Sequence, residues 1–274
     1  GDPDFVDVPL EQLLSDAYND ERRKLIGNDA SMELRHGRID GFGCDVDYQA
    51  AINRSAGIGV PQGGKGAAGA GEPTVGALGQ VKGDTCHIDV VDKEGNMVAC
   101  MPSGGWLQSS PTIPALGFQL NSRAQMFWLD EGQPMSLEPG KRPRTTLSPT
   151  MALRDGKPAV AFGTPGGDQQ DQWQSIFFLR PAVYGRNLQE AIDTPSFHSE
   201  HFVSSFYPRG AQPGRLVVEG RTPQETVDGL RKRGHKVEVG ELWSEGRLCA
   251  VGKDGKILKA GSNARGMQGY AAGR

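Results

Sequence analysis

Apolar and polar positions alternate differently on the two sides of residue 84. Upstream, Leu10, Leu13, Leu14, Ala17, Tyr18 and Leu25 recur at helical spacing, with Glu21, Arg22, Arg23 and Lys24 on the other side. This spacing predicts one amphipathic helix over residues 9–26. Residues 57–83 hold ten glycines and no aromatic side chain, a composition that predicts a mobile, exposed loop without a core. Downstream the texture changes to short apolar runs separated by Gly-containing turns. Residues 87–92 and 97–101 flank Lys93-Glu94-Gly95-Asn96; 150–154 and 158–162 flank Asp155-Gly156-Lys157; 247–251 and 256–260 flank Lys253-Asp254-Gly255. Each reads as a β-hairpin. Helices are expected over 170–184, 188–192 and 223–233. In the last, Thr222 is the expected N-cap, Pro223 the first helical residue, Glu225 the capping-box partner and Gly234 the stop. Hairpins with a few helices define an α+β fold of antiparallel sheets.

Composition narrows the function classes. A length of 274 residues allows one large domain or two small ones. The net charge of −3 lacks the basic excess of a nucleic-acid or anionic-membrane binder. No apolar run approaches the roughly 20 residues of a membrane span. Glycine, at 39 residues, is about twice as frequent as usual, which signals tight turns and close backbone approaches. Cys44, Cys86, Cys100 and Cys249 include no CxxC pair. They read as free core thiols, with Cys86 and Cys100 able to face each other across a hairpin. The acidic start, Gly-Asp-Pro-Asp-Phe-Val-Asp, has neither an initiator Met nor a signal-peptide pattern. It reads as the continuation of a longer precursor, which leaves the compartment open between cytoplasm and periplasm or exterior.

Four stretches carry candidate chemistry. Gly59-Val60-Pro61-Gln62-Gly63-Gly64-Lys65-Gly66 nearly matches a phosphate loop, but Gly66 stands where the Mg²⁺-ligating Ser or Thr belongs. His198-Ser199-Glu200-His201 has ligand-like spacing, yet Pro195 argues against a helix and no third ligand is evident. Structural or substrate-side histidines are the favoured reading, and neither metal nor cofactor is expected. Phe162-Gly163-Thr164-Pro165-Gly166-Gly167-Asp168 ends a strand, turns and begins a helix. Consecutive backbone N–H groups there can hold a developing oxyanion, or the stretch is an ordinary strand-to-helix turn. Finally, Gly83-Asp84-Thr85 joins the Gly-rich segment to a buried-looking strand. If the Asp84–Thr85 bond broke, Thr85 would carry both a hydroxyl nucleophile and a free amine. Such an amine titrates at about 8 and can take the hydroxyl proton at neutral pH. The alternative is an unremarkable first strand residue.

Together these residues resemble the γ-glutamyltranspeptidases, which are N-terminal-nucleophile hydrolases. The matching stretches are Gly83-Asp84-Thr85-Cys86-His87-Ile88-Asp89-Val90-Val91-Asp92-Lys93-Glu94-Gly95-Asn96, Pro139-Gly140-Lys141-Arg142-Pro143, Ser148-Pro149-Thr150, Pro165-Gly166-Gly167, Asn187-Leu188-Gln189-Glu190-Ala191 and Pro195-Ser196-Phe197-His198. The resemblance implies a four-layer αββα sandwich of antiparallel sheets. It implies that residues 1–84 are the tail of a large-subunit region ending in a Gly-rich pre-cleavage loop, whose upstream part is missing here. Residues 85–274 would be the small-subunit catalytic region. It further implies self-cleavage between Asp84 and Thr85, attack by Thr85 on a small-molecule amide donor, and oxyanion stabilisation by Gly166 and Gly167. Water or an amine would accept the acyl group.

Departures from the family pattern bear on the substrate. A supporting Thr two residues before an Asn is replaced by Ser103 and Gly105. The amide and carboxylate that read the donor ammonium are replaced by Arg123 and Met126, neither of which accepts from an ammonium. The Ser pair that holds the donor carboxylate becomes Thr145-Thr146, preceded by Arg144. The carboxylate clamp thus looks kept and the ammonium clamp lost. Three readings follow: a glutathione-like γ-glutamyl donor, with Asp130, Glu131 or Asp168 replacing the lost carboxylate; a glutaryl-type acylase; or an unprocessed, non-catalytic binding relative.

Overall fold

The computed structural model describes residues 1–43, 45–56, 85–104, 111–206, 208–265 and 269–273. The Gly59–Gly66 stretch, the 57–83 loop, Asp84, Gly105 and Cys44 lie outside them. At the centre is a four-stranded antiparallel sheet in the order β11 (Ile257–Ser262), β10 (Cys249–Asp254), β6 (Lys157–Gly163), β5 (Thr150–Arg154). Its two sides are set by alternation. Phe162 and Ala250, paired across the strands, face helices α4 (Gln170–Tyr184) and α5 (Leu188–Asp193). There they pack with Phe177, Ala191, Ile192 and Leu248. Gly261 on this side leaves room for Ile192, whose Cδ1 would lie 3.0 Å from an added Cβ. The opposite side carries Gly163 and Cys249, also a cross-strand pair. It packs against the hairpin of β1 (Ile88–Val91) and β2 (Met97–Cys100). A helix pair, a sheet and a hairpin are thus stacked in that order. Between β2 and β5 in the chain, β3 (Thr112–Ile113) and β4 (Phe118–Gln119) form a short antiparallel pair of their own.

A second sheet joins β7 (Phe197–Ser199), β8 (Arg215–Val218) and β9 (Lys236–Val239). The β8–β9 pair is parallel, which departs from the all-antiparallel expectation. Parallel neighbours need a crossover, and α6 (Gln224–Lys232) supplies it, burying Val227 against Leu216 and Val218.

The helix ends follow local chemistry. Gly185, with φ of 67°, ends α4 in the left-handed conformation. Asn187 and Glu190 form a reciprocal capping box on α5. The carbonyls at the end of α5 accept from arginines: Ala191 from Arg180 and Ile192 from Arg265, both at 2.7 Å. In α6 the boundary is one residue later than expected. Pro223 has ψ of 136° and is itself the N-cap, and no side chain caps the helix, so Thr222 and Glu225 do not form the predicted box.

The single helix expected over 9–26 is two: α1 (Leu10–Leu13) and α2 (Asp16–Arg23). Ser15 adopts an extended conformation between them and accepts from the Tyr18 N–H. The predicted apolar stripe is not buried; Leu10 and Leu14 are 61% and 77% exposed. Residues 1–56 instead attach through polar contacts. Asp2 takes Arg142 at its backbone nitrogen (2.8 Å) and Nε (3.0 Å). The Ala30 N–H donates to the Arg233 carbonyl at 2.8 Å. The His201 ring nitrogen Nε2 donates to the Glu33 carbonyl at 2.9 Å. From α3 (Tyr48–Ser55), the Ala51 carbonyl accepts from the Ala211 N–H at 3.1 Å.

Candidate active site

The β1–β2 register brings Thr85 to Ser103. The ladder pairs Ile88 with Cys100, and the Cys86 N–H donates to the Pro102 carbonyl at 3.1 Å. Continuing that register sets Thr85 opposite Ser103, and their hydroxyls are 2.7 Å apart. Thr85 is buried. Alternation then turns His87 and Asp89 inward as well. Their side chains are 0% and 1% exposed, with Nε2 and Oδ1 2.8 Å apart. The His87 ring lies directly on Gly163, where an added Cβ would stand 2.4 Å from its Cε1. Burial pushes the Asp89 carboxyl up, against the pull of its hydrogen bond to His87. Burial, with the Asp89 charge nearby, pushes the Cys249 thiol up to about 11, so it stays protonated and unreactive at neutral pH.

The cysteine expectation is corrected in part. Cys86 and Cys100 are free but point outward and are exposed, because they share the outer face of the hairpin with Ile88, Val90 and Val98. The register sets Cys86 opposite Pro102 rather than Cys100.

Arg123 is buried beside this group. A Cβ on Gly104, the residue after Ser103, would come within 3.2 Å of Arg123 Nε. Its backbone N–H donates to Asn121 Oδ1 at 2.7 Å, and its Nη1 lies 4.0 Å from Met126 Sδ. The two positions singled out for the donor's ammonium end are therefore neighbours, with Arg123 the one against Gly104. Thr145 and Arg144 are exposed, and the Thr145 hydroxyl accepts from the Leu147 N–H at 3.0 Å. Thr146 Oγ1 is buried with no hydrogen-bond partner among the described residues. Arg144 stands close enough to Asp171 and Arg209 to influence both. Arg209 stacks on Trp128 and donates to the Phe127 carbonyl at 2.6 Å.

Gly166 and Gly167 occupy the turn that leaves β6, with φ of 154° and 55°, and both are buried. Gln170, in the first turn of α4, bridges this turn to the threonines. Its amide nitrogen reaches the Thr146 carbonyl (3.0 Å) and its oxygen the Gly167 N–H (3.3 Å) when the amide is oriented to satisfy both. Gln174, one turn on, holds Thr150 at 2.7 Å and Ser148 at 2.9 Å. These glutamines escaped the sequence reading. Their signal is a pair of amides four residues apart within the buried stripe of Trp173 and Phe177. The turn is fixed from other sides too. Thr164 Oγ1 accepts from the Arg247 N–H at 2.8 Å, and Asp168 Oδ2 from the Ser205 N–H at 2.8 Å.

The two histidines with ligand-like spacing part company. His198 is buried between Glu245 (2.5 Å) and Glu200 (3.4 Å), whereas His201 bonds the Glu33 carbonyl and the Gly214 N–H. No cluster of three metal-ligating side chains occurs among the described residues. No helix among them is long and apolar enough to cross a membrane.

A hairpin packed on one side of a central antiparallel sheet, with helices on the other, is consistent with the N-terminal-nucleophile hydrolase fold to which the family belongs. The chain is a member of the γ-glutamyltranspeptidase family, whose model, described as Gamma-glutamyltranspeptidase, matches residues 1–273. It is 30% identical over 279 residues to the glutathione hydrolase-like YwrD proenzyme of Bacillus subtilis (strain 168), covering 99% of this chain and 43% of that protein. It is also 30% identical over 239 residues to the acylase ACY 1 proenzyme of Pseudomonas sp. (strain SE83), covering 86% of this chain and 33% of that protein. The solved structure of LmbA2991T421A superposes with a TM-score of 0.84 at 52% identity, over 98% of this chain and 45% of that one. The chain thus spans less than half the length of these relatives.

Proposed function

We propose that the chain is the catalytic part of a self-maturing enzyme that cleaves the amide bond of a carboxylate-bearing acyl donor through an ester on Thr85. The observation that carries this reading is the 2.7 Å contact between the Thr85 and Ser103 hydroxyls at the head of β1. Maturation starts when Thr85 Oγ1 attacks the Asp84 carbonyl and the Thr85 nitrogen leaves, giving an ester. Water then hydrolyses the ester to an Asp84 carboxylate and a free Thr85 amine. In turnover that amine takes the hydroxyl proton as Oγ1 attacks the donor carbonyl, and returns it to the departing amine. Water or an acceptor amine resolves the acyl-ester by the reverse route. Ser103 orients the Thr85 hydroxyl. The Gly166–Gly167 turn supplies the oxyanion donors, with the Gln170 amide holding the Gly167 N–H until the substrate oxygen arrives. Two relatives named as proenzymes support the maturation step.

The donor end is read by charge. The buried, unpartnered Thr146 hydroxyl and the nearby Arg144 suit a carboxylate. Arg123 beside Gly104, with Met126 against it, favours a donor without an α-ammonium, of the glutaryl type, over a γ-glutamyl donor. The four-layer αββα sandwich belongs to the same proposal: the exposed outer face of β1–β2, with Ile88, Val90 and Val98 each about half exposed, is where the fourth layer packs.

The test is direct. After incubation of the full chain, the larger product, residues 85–274, begins Thr85-Cys86-His87, and Thr85→Ala stays whole and inactive. An intact wild type without amidase activity would support the non-catalytic reading instead. The ratio of kcat/KM for glutaryl and γ-glutamyl p-nitroanilides is expected to favour glutaryl. A strong preference for γ-glutamyl returns the donor to the glutathione type.

A further inference from the structure

Trp173 lies under the turn that ends β6. A Cβ on Gly166 would meet its Cζ3 at 2.3 Å, and one on Gly246 would meet its Cγ at 3.4 Å. The ring is therefore clamped between two glycine backbones, and only glycine permits the approach at Gly166. Trp173 is 2% exposed. Its indole N–H donates to Glu245 Oε2 at 3.2 Å, and the same oxygen receives the His198 ring nitrogen Nδ1 at 2.5 Å. Behind His198 stands Glu200 at 3.4 Å, itself paired with Arg215. The His198 ring also meets the indole edge-on, with centroids 5.6 Å apart. The segment that carries Glu245 and Gly246 continues into Arg247, whose N–H holds Thr164 in the same turn.

We propose that Trp173, locked in place by Glu245 and His198, is a positioning residue that sets the height and tilt of the Gly166–Gly167 turn for transition-state binding. The inference rests on the reading of that turn as the oxyanion site. The three side chains bond to one another and to Glu200 and Ser244, so none is placed in the bond-making steps. Their effect passes through the backbone. A turn displaced by a fraction of an ångström still admits the donor but aims its N–H groups poorly at the developing negative oxygen.

Steady-state kinetics on a p-nitroanilide donor with the mature full chain test this. Trp173→Phe keeps an aromatic ring but deletes the N–H and the ring edge under Gly166. It is expected to lower kcat about tenfold with KM changed less than about twofold, the pattern of an interaction that matters in the transition state. Glu245→Leu is expected to lose at least as much. Glu245→Gln, whose amide oxygen still accepts from the indole, is expected to restore kcat to within about threefold of wild type. Thermal melts run alongside. If both Trp173→Phe and Glu245→Leu lower the melting temperature while kcat of the folded protein stays at the wild-type value, the network is only structural and the proposal is overturned. If Glu245→Leu does not fold, Trp173→Phe decides alone. Thr85→Ala separates the two levels: activity surviving there overturns the nucleophile reading and this inference with it. Activity lost there but untouched in Trp173→Phe overturns this inference only.

Discussion

At the scale of single residues, the geometry turns on a few polar side chains withdrawn from water. Ser103→Ala removes the hydroxyl that faces Thr85. A hydrogen bond of this kind contributes about 1 kcal/mol, so kcat/KM is expected to fall roughly fivefold, with self-cleavage slowed in parallel on a gel time course. His198 gives a pH-dependent stability. Burial alone pulls its pKa down, but the hydrogen bonds and charges of Glu200 and Glu245 outweigh burial and raise it from 6.5 to about 9. Folded protein holds that proton more tightly than unfolded chain, so the contribution is complete below pH 6.5 and disappears as the pH rises through about 9. Its full size is about 3 kcal/mol. Urea unfolding at pH values of about 6, 8 and 10 should show the decline, and His198→Gln should be less stable at the lowest of these but flat across the same window. Sequence spacing singled out His198 but could not reveal its role. Glu245 and Trp173 reach it from distant parts of the chain, and only the fold brings them together.

At the scale of elements, what was legible follows from local chemistry. The bounds of α4 were plain because its polar start and Gly185 are both backbone signals. The three hairpins were plain because alternation and turn residues are adjacent in the chain. The helix at 9–26 was misread because spacing cannot say whether an apolar stripe finds a partner; Ser15 breaks it, and its leucines face outward. The parallel β8–β9 pair was missed because Arg215–Val218 and Lys236–Val239 are short, and their pairing depends on the intervening α6. The pairing of Thr85 with Ser103 needed the hairpin register, which the turn residues fix only once Asp92 is seen to cap the Gly95 and Asn96 N–H groups. That hairpin is held at a set distance from β6 by His87 on Gly163. Gly163→Ala drives a Cβ to 2.4 Å from a fully buried ring, and overpacking of this sort costs about 1–3 kcal/mol. Chemical denaturation is expected to show that loss, and to show most of it recovered in Gly163→Ala combined with His87→Ala, the mark of two residues sharing one space.

At the scale of the molecule, residues 1–56 and 85–273 are joined by hydrogen bonds spread along the whole first segment, from Asp2 to Ala51. After cleavage at Asp84–Thr85, the fragments 1–84 and 85–274 are expected to elute as one species from a sizing column in native buffer and as two in denaturant. Elution as two species in native buffer would show that these contacts do not suffice. Within this tether, Arg142 holds the Asp2 carboxyl well below the usual carboxylate range, so mild acid leaves the contact charged.

The clasp of Asp2 on Arg142 has one more consequence. In the uncut chain Asp2 is fastened to the stretch that leads into Arg144, Thr145 and Thr146. On the proposed route, maturation would alter connectivity and leave architecture alone: scission would free the Thr85 amine already beside Ser103, with no journey to make.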